Sequence, residues 1–154
     1  MTGITPPPKP VAQAELDAAD QAVASAELLS TLEKAEAGIG RSKASVVGLD
    51  TEFVRERTYY PQPGLVQGSN GKTVWLLDAV ALTQIDPLKD LLDDQGCIKV
   101  LHSVGEDMEV FRILTGTVPE PLFDTQIAAA MLGFPLQLRY EQLVADTLGA
   151  QLAG

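Results

Sequence analysis

The sequence predicts one α/β domain built on a mixed sheet, and three observations lead there. The chain has 154 residues, 45% of them apolar and 21% charged, enough for one core and too short for two comfortable ones. The apolar runs Ala44–Leu49 and Cys97–Leu101 lack polar alternation, as strands buried on both faces do. Around them the pattern passes from closely spaced strands to alternating helix and strand, the order of a layered α/β fold.

Taken in order, residues 1–12 (MTGITPPPKPVA) are Pro-rich and aperiodic. With the Ala- and Asp-rich stretch that follows, weakly helical from residue 13, they read as a flexible tail over 1–22, leaving 23–154 as the folded domain. Ser25 before AELLSTLEKAEAG reads as an N-cap, with Leu28, Leu29 and Leu32 turned inward and Gly38 as the stop. Gly64–Gln67 and Thr73–Asp78 read as strands flanking Gly68-Ser69-Asn70-Gly71, whose Asn-Gly step favours a tight hairpin. Pro87–Leu92, Gly105–Leu114, Thr125–Leu132 and Arg139–Leu148 read as helices, the last stopped by Gly149.

Composition removes several functions. Twenty-one acids against eleven bases give a net charge of −10, unlike proteins that coat nucleic acid by bulk electrostatics. An enzyme that grips nucleic acid locally and holds metal ions among its carboxylates remains compatible with that balance. One Cys (Cys97) makes no internal disulfide, and with a single His (His102) it builds no structural zinc site. Cys97 reads as a small buried hydrophobe. No apolar run approaches the roughly 18 residues of a membrane span, and no basic-then-apolar leader opens the chain. The simplest expectation is a cytoplasmic protein without a membrane partner.

Two acidic features carry chemistry. Asp50 and Glu52 lie two apart at the end of an apolar strand, so their carboxylates share a face and repel unless a proton or cation intervenes. In the helix from Gly105, position 107 shares a face with Val110, Phe111 and Leu114, which puts Asp107 on the core-facing stripe while Glu106, Glu109 and Arg112 can face water. An inward acid needs a partner, and a metal shared with Asp50 supplies one. Acids without His or Cys suit hard cations, Mg²⁺ or Mn²⁺.

VVGLDTEFVRERTYYPQPGLVQ, KVLHSVGEDMEVF and FDTQIAAAML, together and in this order, resemble ribonuclease D, of the DEDD superfamily of 3′–5′ exonucleases. The resemblance covers about residues 23–154. It implies a ribonuclease-H-like mixed sheet flanked by helices, and 3′-end trimming of structured RNA such as tRNA precursors by two-metal-ion hydrolysis. It assigns Asp50, Glu52 and Asp107 as catalytic metal ligands and Thr51, Phe53, Arg55, Arg57 and His102 as substrate-binding positions. It also implies a third motif, Tyr followed four residues later by the fourth acid. Tyr140-Glu141-Gln142-Leu143-Val144 has Val at that place, and Asp146 falls off the face. The domain is therefore expected to be incomplete at its C-terminus, with a missing segment of the parent chain, and weakly active or inactive alone. Gly68-Ser69 stand where relatives continue an apolar strand, which implies a short strand here.

Several positions carry two readings. Phe53 either wedges against terminal bases or belongs to the core. His102 reads first as a structural histidine bonded to backbone, and second as a phosphate contact. Asp124 reads as the N-cap of TQIAAAML. Arg55, Arg57, Tyr59 and Tyr60 interleave charge and aromatics as a backbone-tracking groove does, or form a solvated loop. Gly71-Lys72-Thr73 lacks the glycine and the strand-to-helix turn of a phosphate loop. The alternatives to the RNA exonuclease are a non-catalytic RNA-interacting fragment and a DNA 3′–5′ exonuclease of the same fold, against which the RTYYPQ stretch speaks.

Overall fold

The computed structural model describes residues 13–55, 59–82 and 85–152. Its elements run α1 (Gln13–Ala24), β1 (Glu27–Leu29), α2 (Leu32–Arg41), β2 (Val46–Val54), β3 (Gln62–Ser69), β4 (Val74–Asp78), α3 (Asp86–Asp93), β5 (Ile98–Leu101), α4 (Gly105–Thr115), β6 (Leu122–Asp124), α5 (Thr125–Met131) and α6 (Tyr140–Leu148). The strands form one sheet in the order β1-β4-β3-β2-β5-β6. β2, β3 and β4 pair antiparallel, whereas β1 on β4, β5 on β2 and β6 on β5 are parallel. This is the mixed sheet flanked by helices that the sequence predicts, with β2 where the antiparallel half meets the parallel half.

One core cluster joins Val47 and Leu49 of β2, Val66 of β3, Trp75 and Leu77 of β4 and Leu101 of β5 to Ala35, Ile39, Leu88, Leu92 and Phe111 of α2, α3 and α4. Burial along β2 alternates, with Val47, Leu49 and Thr51 inside and Val46 46% exposed. Burial of both strand faces, expected from the apolar runs, therefore does not hold. In β5 the side chain turned inward beside Leu101 is Lys99, fully buried, whose ammonium donates to the carbonyls of Asp94 (2.6 Å) and Glu120 (2.9 Å). A buried cation persists where its protons have such acceptors. Cys97 is 2% exposed, as expected.

The N-terminal region departs most from expectation. Residues 13–22, assigned to the tail, are part of helix α1, and residues 1–12 lie outside the described set. Ser25 closes α1, its hydroxyl donating to the Gln21 carbonyl, instead of opening the next helix. Glu27–Leu29 pair with β4 as an edge strand, and Thr31 caps α2 by accepting the Lys34 N–H at 3.2 Å. Leu28 and Leu29 therefore point to opposite sides, and only Leu29 is buried. The helix passes through Gly38 to Arg41, because that glycine lies under Leu29: a Cβ there would stand 2.6 Å from Leu29 Cδ2.

Gly68 does similar work in the sheet. A Cβ at that position would collide with the Trp75 ring opposite it. With the glycine, β3 runs on through Ser69, so the short strand expected at Gly68-Ser69 is not found. The hairpin turns over four residues, Asn70 to Thr73, and Asn70 Oδ1 accepts the N–H groups of Lys72 and Thr73, both at 2.8 Å. The later helices fall where their periodicity places them, and Gly149 ends α6 at φ 67°, a left-handed conformation that favours glycine. Among the described residues no helix is long and apolar enough to cross a membrane.

Candidate active site

The ladder between β2 and β5 ends at Gly48, but β2 stays paired with β3 as far as Val54. From Asp50 onward β2 therefore projects past its parallel neighbour, beside the carboxyl ends of β5 and β6. Ligand crevices of α/β sheets form at such switch points. A register shift between Glu52 and Phe53 adds a bulge at the same place, and bulges re-aim side chains.

Strand alternation exposes Asp50 and Glu52 and buries Thr51 at 6% exposure on the opposite face. Asp107 arrives on the first turn of α4, 7% exposed, and the Thr51 hydroxyl donates to its Oδ1. Although Asp50 is exposed, the protein around it strips part of its water and so pushes its carboxyl above the usual range, and the Thr51 N–H holds it back. Burial raises Asp107 further, to about 6; the Thr51 hydroxyl opposes the rise and the charge of Asp50 adds to it. The Thr51 backbone N–H also lowers Asp107. Asp107 thus sits against the covered face of β2 at Thr51, near enough to feel the charge of Asp50, whose own side chain lies on the exposed face. Glu52 follows on the Asp50 face, and among the described residues no three acidic, His or Cys side chains form a ready metal cage.

The surrounding residues are held by the fold. Asp124 caps α5 through Gln126 N–H (2.8 Å), as expected, and also receives the N–H groups of Ser103 and Val104, both at 3.0 Å. Burial alone would raise this carboxyl, but the N–H groups of Val104, Ser103, Gln126 and Ile127 together lower it. Asp124 therefore fixes the turn that starts α4 and so aims Asp107. His102 donates through Nε2 to the Leu138 carbonyl at 2.7 Å, and its Nδ1 lies 2.8 Å from the Thr125 hydroxyl. Its ring packs against Tyr140, centroids 5.5 Å apart. Both nitrogens are engaged within the protein, which is the structural role read first for this histidine.

Arg55 bonds the Tyr59 carbonyl (2.6 Å) and Glu109 of α4 (2.6 Å), so Glu109 is an ion-pair partner and not a purely solvated acid. Phe53 is half-buried, and Arg57 lies outside the described residues. Val144, four residues after Tyr140, is 7% exposed and serves packing, not chemistry. Sequence reasoning missed three partnerships: Thr51 with Asp107, Asp124 with the α4 turn, and Arg55 with Glu109. The first had a visible signal, since a residue between two outward acids on a strand must face inward.

Comparison with known proteins bears on this arrangement. The sequence matches the 3′–5′ exonuclease family over residues 18–153. The chain belongs to that family. Ribonuclease D of Pseudomonas paraeruginosa is 47% identical over 106 residues, covering 69% of this chain and 28% of the relative. The crystal structure of Escherichia coli RNase D, described as an exoribonuclease involved in structured RNA processing, superposes with TM-score 0.78 at 39% identity, over 82% of this chain and 34% of that one. Brucella melitensis NrnC with bound Mg²⁺ shares the fold at 21% identity and TM-score 0.69, over 83% of this chain and 63% of that one. The matched segment thus spans less than a third of the ribonuclease D relative's length.

Proposed function

We propose that this domain is the nuclease core of a metal-dependent 3′–5′ exoribonuclease of the ribonuclease D type, trimming the 3′ ends of structured RNA such as tRNA precursors. The observation that carries the reading is Asp107, an acid buried on the inner side of α4 and bonded by the Thr51 hydroxyl of the Asp50-Thr51-Glu52 stretch, its proton affinity raised by burial and further by the charge of Asp50. A desolvated acid raised further by a neighbouring negative charge is what a bound divalent cation relieves. The donors are all oxygens and so fit hard cations such as Mg²⁺ or Mn²⁺. Asp50, Glu52 and Asp107 are the residues that would hold them. When bound, such ions clamp the scissile phosphate and lower the pKa of the attacking water.

The chain's own residues prepare that chemistry. Thr51 fixes the Asp107 carboxylate from the covered side of β2. Asp124 sets the turn before α4, and His102 ties the end of β5 to Thr125 and Leu138. Phe53, which follows the bulge, is proposed to meet the terminal base, and Arg55 holds the Tyr59 carbonyl. The resemblance puts the third motif, with its Tyr and the fourth carboxylate, in the segment expected to follow these residues in the parent chain, so the 154-residue chain alone is proposed to bind ions weakly and to cleave slowly.

The test uses 3′-labelled RNA and Mn²⁺ with the chain in its full-length parent. Asp50→Asn is expected to cut hydrolysis on the order of a thousandfold, several kcal/mol of lost charge stabilisation, and to weaken Mn²⁺ binding by calorimetry. Near-normal hydrolysis in that variant would overturn the assignment.

A further inference from the structure

We infer that Tyr59 and Tyr60 form a stacking platform for a nucleobase of single-stranded RNA, upstream of the end being trimmed. The inference rests on the proposed function and adds a subsite to it. The two rings are 81% and 64% exposed and meet edge to face, centroids 5.0 Å apart at 87°. Neither belongs to the core cluster. Beside them opens a cleft of about 580 Å³ lined by Tyr59, Tyr60, Pro61, Gln62 and Ile113. Its walls are two aromatic rings, a proline and an aliphatic side chain, which suit the flat apolar face of a base better than a phosphate.

The platform is anchored to the candidate active site. Arg55 holds the Tyr59 carbonyl with one guanidinium nitrogen and Glu109 with the other, both at 2.6 Å. Glu109 and Ile113 follow Asp107 on the same helix, α4, so one wall of the cleft and the acid belong to one element. Pro61, buried, fixes the chain where it enters β3. The backbone that carries the rings is thus held at both ends, which lowers the ordering cost of binding. In a chain of net charge −10, phosphate attraction is a poor source of affinity, and stacking needs no positive field.

Binding of 5′-labelled oligouridylate and of an abasic strand of equal length, in EDTA so that nothing is cleaved, tests the platform. Tyr59→Ala and the double variant with Tyr60→Ala should lose between about fivefold and about a hundredfold in affinity for the base-bearing strand. The loss should persist at high salt, where phosphate contacts fade. The abasic strand should bind the wild type and the variants alike, and Tyr59→Trp should retain affinity. Because both rings are exposed, thermal stability should not move. Equal binding of the two strands by the wild type, including none to either, or no loss in the double variant, overturns the inference. Hydrolysis that succeeds without the binding difference overturns the platform alone. A binding difference without metal-dependent hydrolysis supports the platform while the proposed function falls.

Discussion

Asp107 is an acid on the inward side of a helix, and its titration gives the protein a measurable pH signature. Its folded-state pKa of about 6 lies above the usual 3.8, chiefly through burial. The protonated form is therefore the favoured one: its stabilising contribution is complete below about pH 4 and is lost as the pH rises through 6. Above that, the ionised carboxylate costs on the order of 2–3 kcal/mol in metal-free protein. Asp107→Asn keeps an oxygen for the Thr51 hydroxyl and removes the charge. Its melting temperature should match the wild type near pH 4 and exceed it above pH 6, and Mn²⁺ should narrow the gap for the wild type only. Parallel melting curves across that range would show that burial does not strain the ionised form. Asp124 acts in the opposite sense, since its lowered pKa stabilises above about pH 4 and that contribution fades in acid. Asp124→Ala removes a cap and strands the N–H groups of Ser103 and Val104, for a loss of roughly 2–3 kcal/mol by chemical denaturation. A loss below half of that would mean water replaces the carboxylate.

Among the elements, the β3–β4 pair depends on one absent side chain. Trp75 occupies the space over Gly68, so a methyl group there must displace an indole wedged in the core. Gly68→Ala should destabilise by roughly 1–3 kcal/mol as overpacking does, measured as a denaturation midpoint, and pairing it with Trp75→Phe should recover part of the loss. An undiminished loss in the pair would place the strain elsewhere. This contact was not legible in the sequence, because it joins residues on two strands and only the pairing register brings them together. The same holds for β1: Glu27–Leu29 lie inside a good helical pattern, and only the edge of β4 draws them into a strand. Local pattern was enough for α3, α4, α5 and α6, whose periodicity is self-contained, although only α5 carries its own side-chain N-cap and the start of α4 depends on the distant Asp124. The candidate site divides similarly. The alternation of Asp50 and Glu52 and the inward register of Asp107 can be read from spacing, whereas the long-range pairs Thr51–Asp107 and Arg55–Glu109 need the fold.

Charge and apolar surface are distributed unevenly over the molecule as a whole. The chain carries a net charge of −10, yet no charged residue occurs from Thr125 to Leu138. Within that stretch Ile127, Met131, Leu132 and Leu136 are 59%, 82%, 73% and 81% exposed, and Ile127 and Met131 stand one turn apart on α5. Soluble monomers rarely leave large apolar side chains grouped in this way. Elsewhere two copies repel through like charges; here they meet without that cost. The isolated 154-residue chain should therefore self-associate through α5 and the residues after it, with a sedimentation coefficient that rises with concentration. Met131→Lys with Leu136→Lys should return it to a monomer without lowering its melting temperature, since neither side chain is in the core. Adding salt should strengthen association of the wild type by screening the remaining charge. A monomer at every concentration, or a double variant that still associates, would show that this surface does not bring copies together.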